Sequence, residues 1–64
     1  MSIIEIQKFN RTEVEIHYKN KSNDTHRQVG KITAVGENYV LFHAIEGDER
    51  PIHIGNITNI KFLK

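Results

Sequence analysis

The sequence predicts a mainly β chain, folded as one small antiparallel barrel of five short strands. Two observations carry the prediction. One segment alternates apolar and polar residues with the period of a half-buried strand, and further β-branched and aromatic segments follow it, separated by tight turns. No internal repeat divides the chain, and closing such a sheet removes the exposed edges a flat one would leave.

The first segment, Ser2 to Phe9, fits two periods. Ile3, Ile6 and Phe9 have helical spacing, whereas Ile4 and Ile6 fit alternation. A short helix or strand capping the barrel is expected, with 1–12 as an N-terminal cap and 13–64 as the barrel of one domain, 1–64.

From Glu13, Val14, Ile16 and Tyr18 alternate with Glu15, His17 and Lys19, the clearest strand in the chain. Residues 20–25 are too rich in Asn, Ser and Asp to continue it and read as an exposed loop. Gln28 to Val35 is extended again, and Gly30 within it marks a bulge or bend.

Gly36-Glu37-Asn38 supplies a turn. Tyr39 to Ile45 then reads as a largely buried central strand. A charged turn, Glu46 to Glu49, leads to a short strand from Pro51 to Ile54, broken by Gly55-Asn56. Ile57 and Ile60 stand three apart, so a one-turn helix, a bend or a straight strand all fit the last segment.

A core built from 64 residues rarely yields more than about 3–5 kcal/mol of net stability. The chain has no cysteine, so disulfides cannot add to it. Association of copies is the remaining route, and isoleucine-rich ends (Ile3, Ile4 and Ile6; Ile57, Ile60, Phe62 and Leu63) point to a homo-oligomer.

The formal charge is only +1, without the broad positive footprint of a duplex-binding protein, so any contact with nucleic acid must be local. No basic region followed by a long apolar stretch opens the chain, and no window has the length of a membrane span. A cytoplasmic location without a membrane partner is expected. Asn-x-Ser/Thr triplets begin at Asn10, Asn20, Asn23 and Asn56, but they matter only in a secreted chain.

The local signatures of zinc, phosphate-loop and acyl-transfer chemistry are all missing. No enzyme activity, cofactor or metal is therefore expected. His17, His26, His43 and His53 are the only conceivable metal set, and His17 and His53 fall on the polar phases of their strands. Glu46, Asp48 and Glu49 read as a soluble turn.

Lys19, Lys21, His26, Arg27 and Lys31 gather around the first loop, where they fit either phosphate contacts or a solvated surface. Tyr18, Phe42 and Phe62 fit core positions. Tyr39, beside Asn38 at a turn, is the aromatic placed to stack a base.

From Glu13 to Phe62 the order of these features resembles the Sm-like proteins, small SH3-like barrels, and in particular their bacterial RNA-chaperone branch, Hfq. Val29-Gly30-Lys31-Ile32-Thr33-Ala34-Val35-Gly36-Glu37-Asn38-Tyr39-Val40-Leu41-Phe42 is similar to the first Sm motif. Ile52-His53-Ile54-Gly55-Asn56-Ile57-Thr58-Asn59-Ile60 is similar to the second.

The resemblance implies a ring of subunits with a nucleotide pocket where the two turns converge. Asn38, Tyr39, His53, Gly55 and Asn56 would form that pocket, with single-stranded RNA as partner. Lys19, Lys21, Arg27 and Lys31, read from the basic residues around the first loop, are the expected phosphate contacts. The first turn departs from the family in carrying Gly36 for its usual aspartate, and the second in carrying Ile54-Gly55 for the Lys-His of Hfq.

Val14 to Tyr18, Gly30 to Ile32 and Ile52 to Ile60 also resemble the carboxy-terminal part of the YolD-like proteins. That second resemblance implies a protein-interaction module acting in DNA damage through a protein partner, without nucleic-acid binding.

Overall fold

The computed structural model describes residues 2–63; Met1 and Lys64, the outermost residues of the expected domain, lie outside them. A five-residue helix, α1 (Ile3–Gln7), precedes strands β1 (Glu13–Lys19), β2 (Thr25–Val35), β3 (Tyr39–Ala44) and β4 (Glu49–His53). One 3-10 turn (Ile54–Asn56) joins β4 to β5 (Ile57–Phe62). The strands form one antiparallel sheet in the order β4-β3-β2-β1-β5.

That order and the short β4–β5 connection require a bent sheet. In a flat sheet the two outer strands would lie about 19 Å apart. The connection from His53 to Ile57 reaches at most about 14 Å. Register shifts between His17 and Tyr18 on β1 and between Ile32 and Ala34 on β2 supply local bends. The ladder has no β4–β5 pairing among the described residues, so the expected barrel is realised as a bent sheet with two edges.

The concave face carries the core. Val14, Ile16, Ile32, Val40 and Phe42 are completely buried, with Ile52, Ile54, Ile57 and Ile60 around them. Helix α1 closes one side through Ile6 and the following Phe9, both buried. Ser2 starts this helix by a reciprocal capping box: its hydroxyl accepts from the Glu5 N–H at 3.3 Å, and its own N–H donates to the Glu5 carboxylate.

Several sequence expectations shift. The helical reading of Ile3, Ile6 and Phe9 holds for Ile3–Gln7, while Ile4 faces solvent. Strand β2 begins at Thr25, three residues before the expected start, because pairing with β1 orders residues that are polar on both faces.

Gly30 is not a bulge. It pairs with Val14 and Ala44, and a Cβ there would lie 2.3 Å from the His43 carbonyl oxygen. The glycine marks a close approach of β2 to β3.

Strand β3 alternates buried and exposed residues, and β2 rather than β3 is the middle of the sheet. Ile45 lies beyond β3 and is exposed, and Ile54 belongs to the 3-10 turn. The last segment is a strand with a bend: the register against β1 shifts past Thr58, so that Ile57 and Ile60, three apart, are both buried. Phe62 is half exposed, packed on Phe9 with ring centroids 4.6 Å apart, and is not a core residue.

Candidate functional site

Two turns meet at the start of β3 and the end of β4. The Ile54 N–H donates to the Asn38 carbonyl at 2.8 Å, and the Gly36 N–H donates to the Tyr39 carbonyl at 2.7 Å. Tyr39 pairs with His53 in the β3–β4 ladder, and their rings pack edge to face with centroids 5.2 Å apart. The Gly55 N–H donates to His53 Nδ1 at 3.0 Å, so the imidazole caps the 3-10 turn. Asn38, Tyr39, His53 and Gly55 are thereby brought together, a grouping that the resemblance implied.

Asn56 faces a neighbouring groove of about 470 Å³ that also takes in Tyr18, Lys19, Asn20, Lys21 and β4 from Arg50 to His53. That volume lies in the range of ligand sites, about 300–1,000 Å³. Its chemistry is one-sided. Lys19, Lys21 and Arg50 bring three cations, His53 and Asn56 add hydrogen-bonding groups, and among the described residues no carboxylate lines the groove.

The first loop holds its lysines by local bonds. Asn20 Oδ1 accepts from the N–H groups of Ser22, at 2.9 Å, and Asp24, at 3.0 Å, which folds the chain back on itself. Asn23 takes the left-handed conformation at φ 65°. The Asn20 amide Nδ2 can only donate, so His26 Nε2 accepts at 2.7 Å, and the His26 ring stacks on Tyr18 at 5.7 Å. Tyr18 in turn donates from its hydroxyl to Gln28 Oε1 at 3.3 Å.

The other expected phosphate contacts lie elsewhere. Arg27 sits on β2 opposite His17, beside Glu15 and Gln28, and Lys31 is paired with Glu13 and His43 across the sheet. Both are exposed but neither reaches the groove that Lys19 and Lys21 line. Their nearness to the first loop in sequence does not survive the turn, since β2 runs away from it.

Two groove residues escape a sequence reading. Arg50 follows an acidic turn and looks like part of it, yet it shares the strand phase of the buried Ile52. That phase aims it towards the concave side at the strand's start. Tyr18 shares the phase of Val14 and Ile16, but the register shift after His17 leaves it only half-buried, against the groove.

On the convex face, Glu15 and His17 form a pair of their own, with Oε2 and Nε2 2.6 Å apart. The hydrogen bond from His17 holds the Glu15 carboxyl below its usual range against the opposing effect of burial, with lesser help from the charges of His17, Arg27 and Lys61. Among the described residues no cluster of His, Asp and Glu is arranged to hold a metal ion, and no helix is long and apolar enough to cross a membrane. No family model matches the chain, and neither the curated proteins nor the solved structures give a match to it.

Proposed function

We propose that the protein is a non-catalytic, Sm-like cytoplasmic module that binds single-stranded RNA or a similar nucleic acid. The strand of ligand would cross the groove between the first loop and the β4 edge. The observation that carries this reading is the groove's lining among the described residues: three cations and no carboxylate, in a chain whose formal charge is only +1. Concentrating cations in one hollow favours a polyanion by local contacts and counterion release.

Lys19, Lys21 and Arg50 contact phosphates in this reading. Asn38 and Asn56 offer paired donor and acceptor groups to base edges, and Tyr39, half exposed, offers a ring for stacking. Gly55 keeps the second turn tight beside them. Copies of the chain associate through the β4 and β5 edges, which carry no partner strand on their outer sides among the described residues.

Titrating a labelled short oligoribonucleotide with the wild-type protein and with Asn38→Ala, Asn56→Ala and Arg50→Gln tests the assignment. A loss of affinity in each variant supports it, and unchanged affinity in all three removes the site.

A second reading has its own support. Ile45 is 77% exposed and Leu63 45% exposed, and both border a hollow with Val29, which suits a protein-interaction module with a protein partner. Light scattering of the purified protein, with absorbance read at 260 and 280 nm on the same peak, separates the two. Co-purifying nucleic acid favours the first reading, and a stoichiometric protein partner without nucleic acid favours the second.

A further inference from the structure

The hydrogen bond between the 3-10 turn and His53 fixes more than the ring's position. A backbone N–H can only donate, so the Nδ1 that receives it from Gly55 carries no proton. An imidazole with a bare Nδ1 is neutral and holds its one proton on Nε2. Among the described residues Nε2 has no hydrogen-bond partner, and the ring is exposed at the groove. The ring is held in place by the edge-to-face contact with Tyr39 and by the turn it caps.

We infer that His53 is an uncharged, preoriented hydrogen-bond donor for a phosphate oxygen of the bound strand, set among the groove's charged contacts. This rests on the nucleic-acid reading above and assigns a distinct role within it. Lys19, Lys21 and Arg50 attract the strand from any direction and with strong salt dependence, whereas a fixed N–H selects where one phosphate sits.

The test separates the donor from the cap and from charge. In His53→Asn the short amide oxygen can still accept from the Gly55 N–H, as Asn does at helix starts, but it does not reach outward as Nε2–H does. His53→Ala loses both. At about pH 8, above the ordinary imidazole range near ~6.5, binding of a labelled short oligoribonucleotide is measured at several salt concentrations, alongside urea unfolding of each variant.

The expected result is roughly tenfold weaker binding by His53→Asn, the scale of one hydrogen bond to a charged group, with wild-type stability and an unchanged slope of log K against log salt. Lys21→Gln, by contrast, lowers the slope by about 0.7, the amount for one phosphate contact to a single strand. Unchanged affinity in His53→Asn overturns the inference, and so does a slope reduced like that of Lys21→Gln.

The nitrogen chemical shifts of the His53 ring in the free protein decide the tautomer independently of any ligand. A proton on Nδ1 refutes the proposal even where the oligonucleotide binds. Absence of binding by the wild type, with Nε2 protonated as expected, refutes instead the nucleic-acid reading and with it the phosphate role.

Discussion

Replacing Gly30 by alanine adds one methyl group where the structure has no room for it. The new Cβ would stand 2.3 Å from the His43 carbonyl oxygen, 2.8 Å from Cζ of Phe42 and 2.9 Å from the Ala44 Cα. Two of these neighbours are backbone of β3, and the third is the tip of a completely buried ring. None yields as a flexible surface side chain would. Strands β2 and β3 must part locally, which weakens about two ladder hydrogen bonds worth ~0.5–1.5 kcal/mol each.

Displacing Phe42 adds an overpacking cost of about 1–3 kcal/mol. The lower entropy of the unfolded alanine chain returns about 0.4–1 kcal/mol. At the centres of these ranges the balance is a loss of roughly 3 kcal/mol, comparable to the whole net stability expected of so small a core, ~3–5 kcal/mol. Urea unfolding followed by circular dichroism reads this directly. With a slope of about 1 kcal/mol/M for a small domain, the midpoint falls by roughly 3 M, or the variant is unfolded without urea.

Gly47→Ala is the control. Gly47 has open space around it but sits at φ 105°, so its cost of about 1–2 kcal/mol comes from backbone strain alone. An unchanged or raised midpoint for Gly30→Ala would refute the claim that β2 and β3 meet this closely.

Other outcomes follow from the same structure. Phe42→Ala empties the centre of the core and is expected to cost about 3–5 kcal/mol, leaving little native circular dichroism signal. The Glu15 carboxyl is held below its usual range by His17, so the folded state binds its proton less readily than the unfolded chain does. The resulting stability is present above the ordinary value of 4.5 and is lost as pH falls through the lower folded value. Acid titration of Glu15→Gln, monitored by fluorescence of the tyrosines, is expected to lack that part of the wild-type acid limb. Arg50→Gln is expected to weaken oligonucleotide binding and reduce its salt slope by about 0.7, while Arg27→Gln and Lys31→Gln, outside the groove, leave the slope as it is.

How far the sequence could be read depends on where its residues meet each other. Strand β1 was legible because Val14 and Ile16 are buried within one strand while Glu15 and Lys19 lie on its other phase, so a local period suffices. The start of β2 was not, since Thr25, His26 and Arg27 are exposed on both phases and are strand only because β1 pairs with them. The convergence of Asn38 with the turn at Gly55 was implied only by the resemblance to the two Sm motifs, because each turn signal is local. The hydrogen bond that joins them, Ile54 N–H to the Asn38 carbonyl, is long-range.

Arg50 and Tyr18 were hidden for a similar reason. Each has the phase of a core residue but stands where the bent sheet leaves its concave side open. Lys19 and Lys21 reach the groove because Asn20 folds the loop between them, whereas Arg27 and Lys31 are carried off along β2. A list of basic residues close in sequence cannot make that distinction without the fold.

The groove beside β4 is proposed to bind a single strand of nucleic acid. The most direct test of that proposal is the affinity of the intact protein for a short single-stranded oligoribonucleotide, followed over a range of salt concentrations. Three phosphate contacts from Lys19, Lys21 and Arg50 give saturable binding that weakens with salt on a slope of about −2. No binding at low salt, or binding whose affinity does not change with salt, would rule out a nucleic-acid site in this groove.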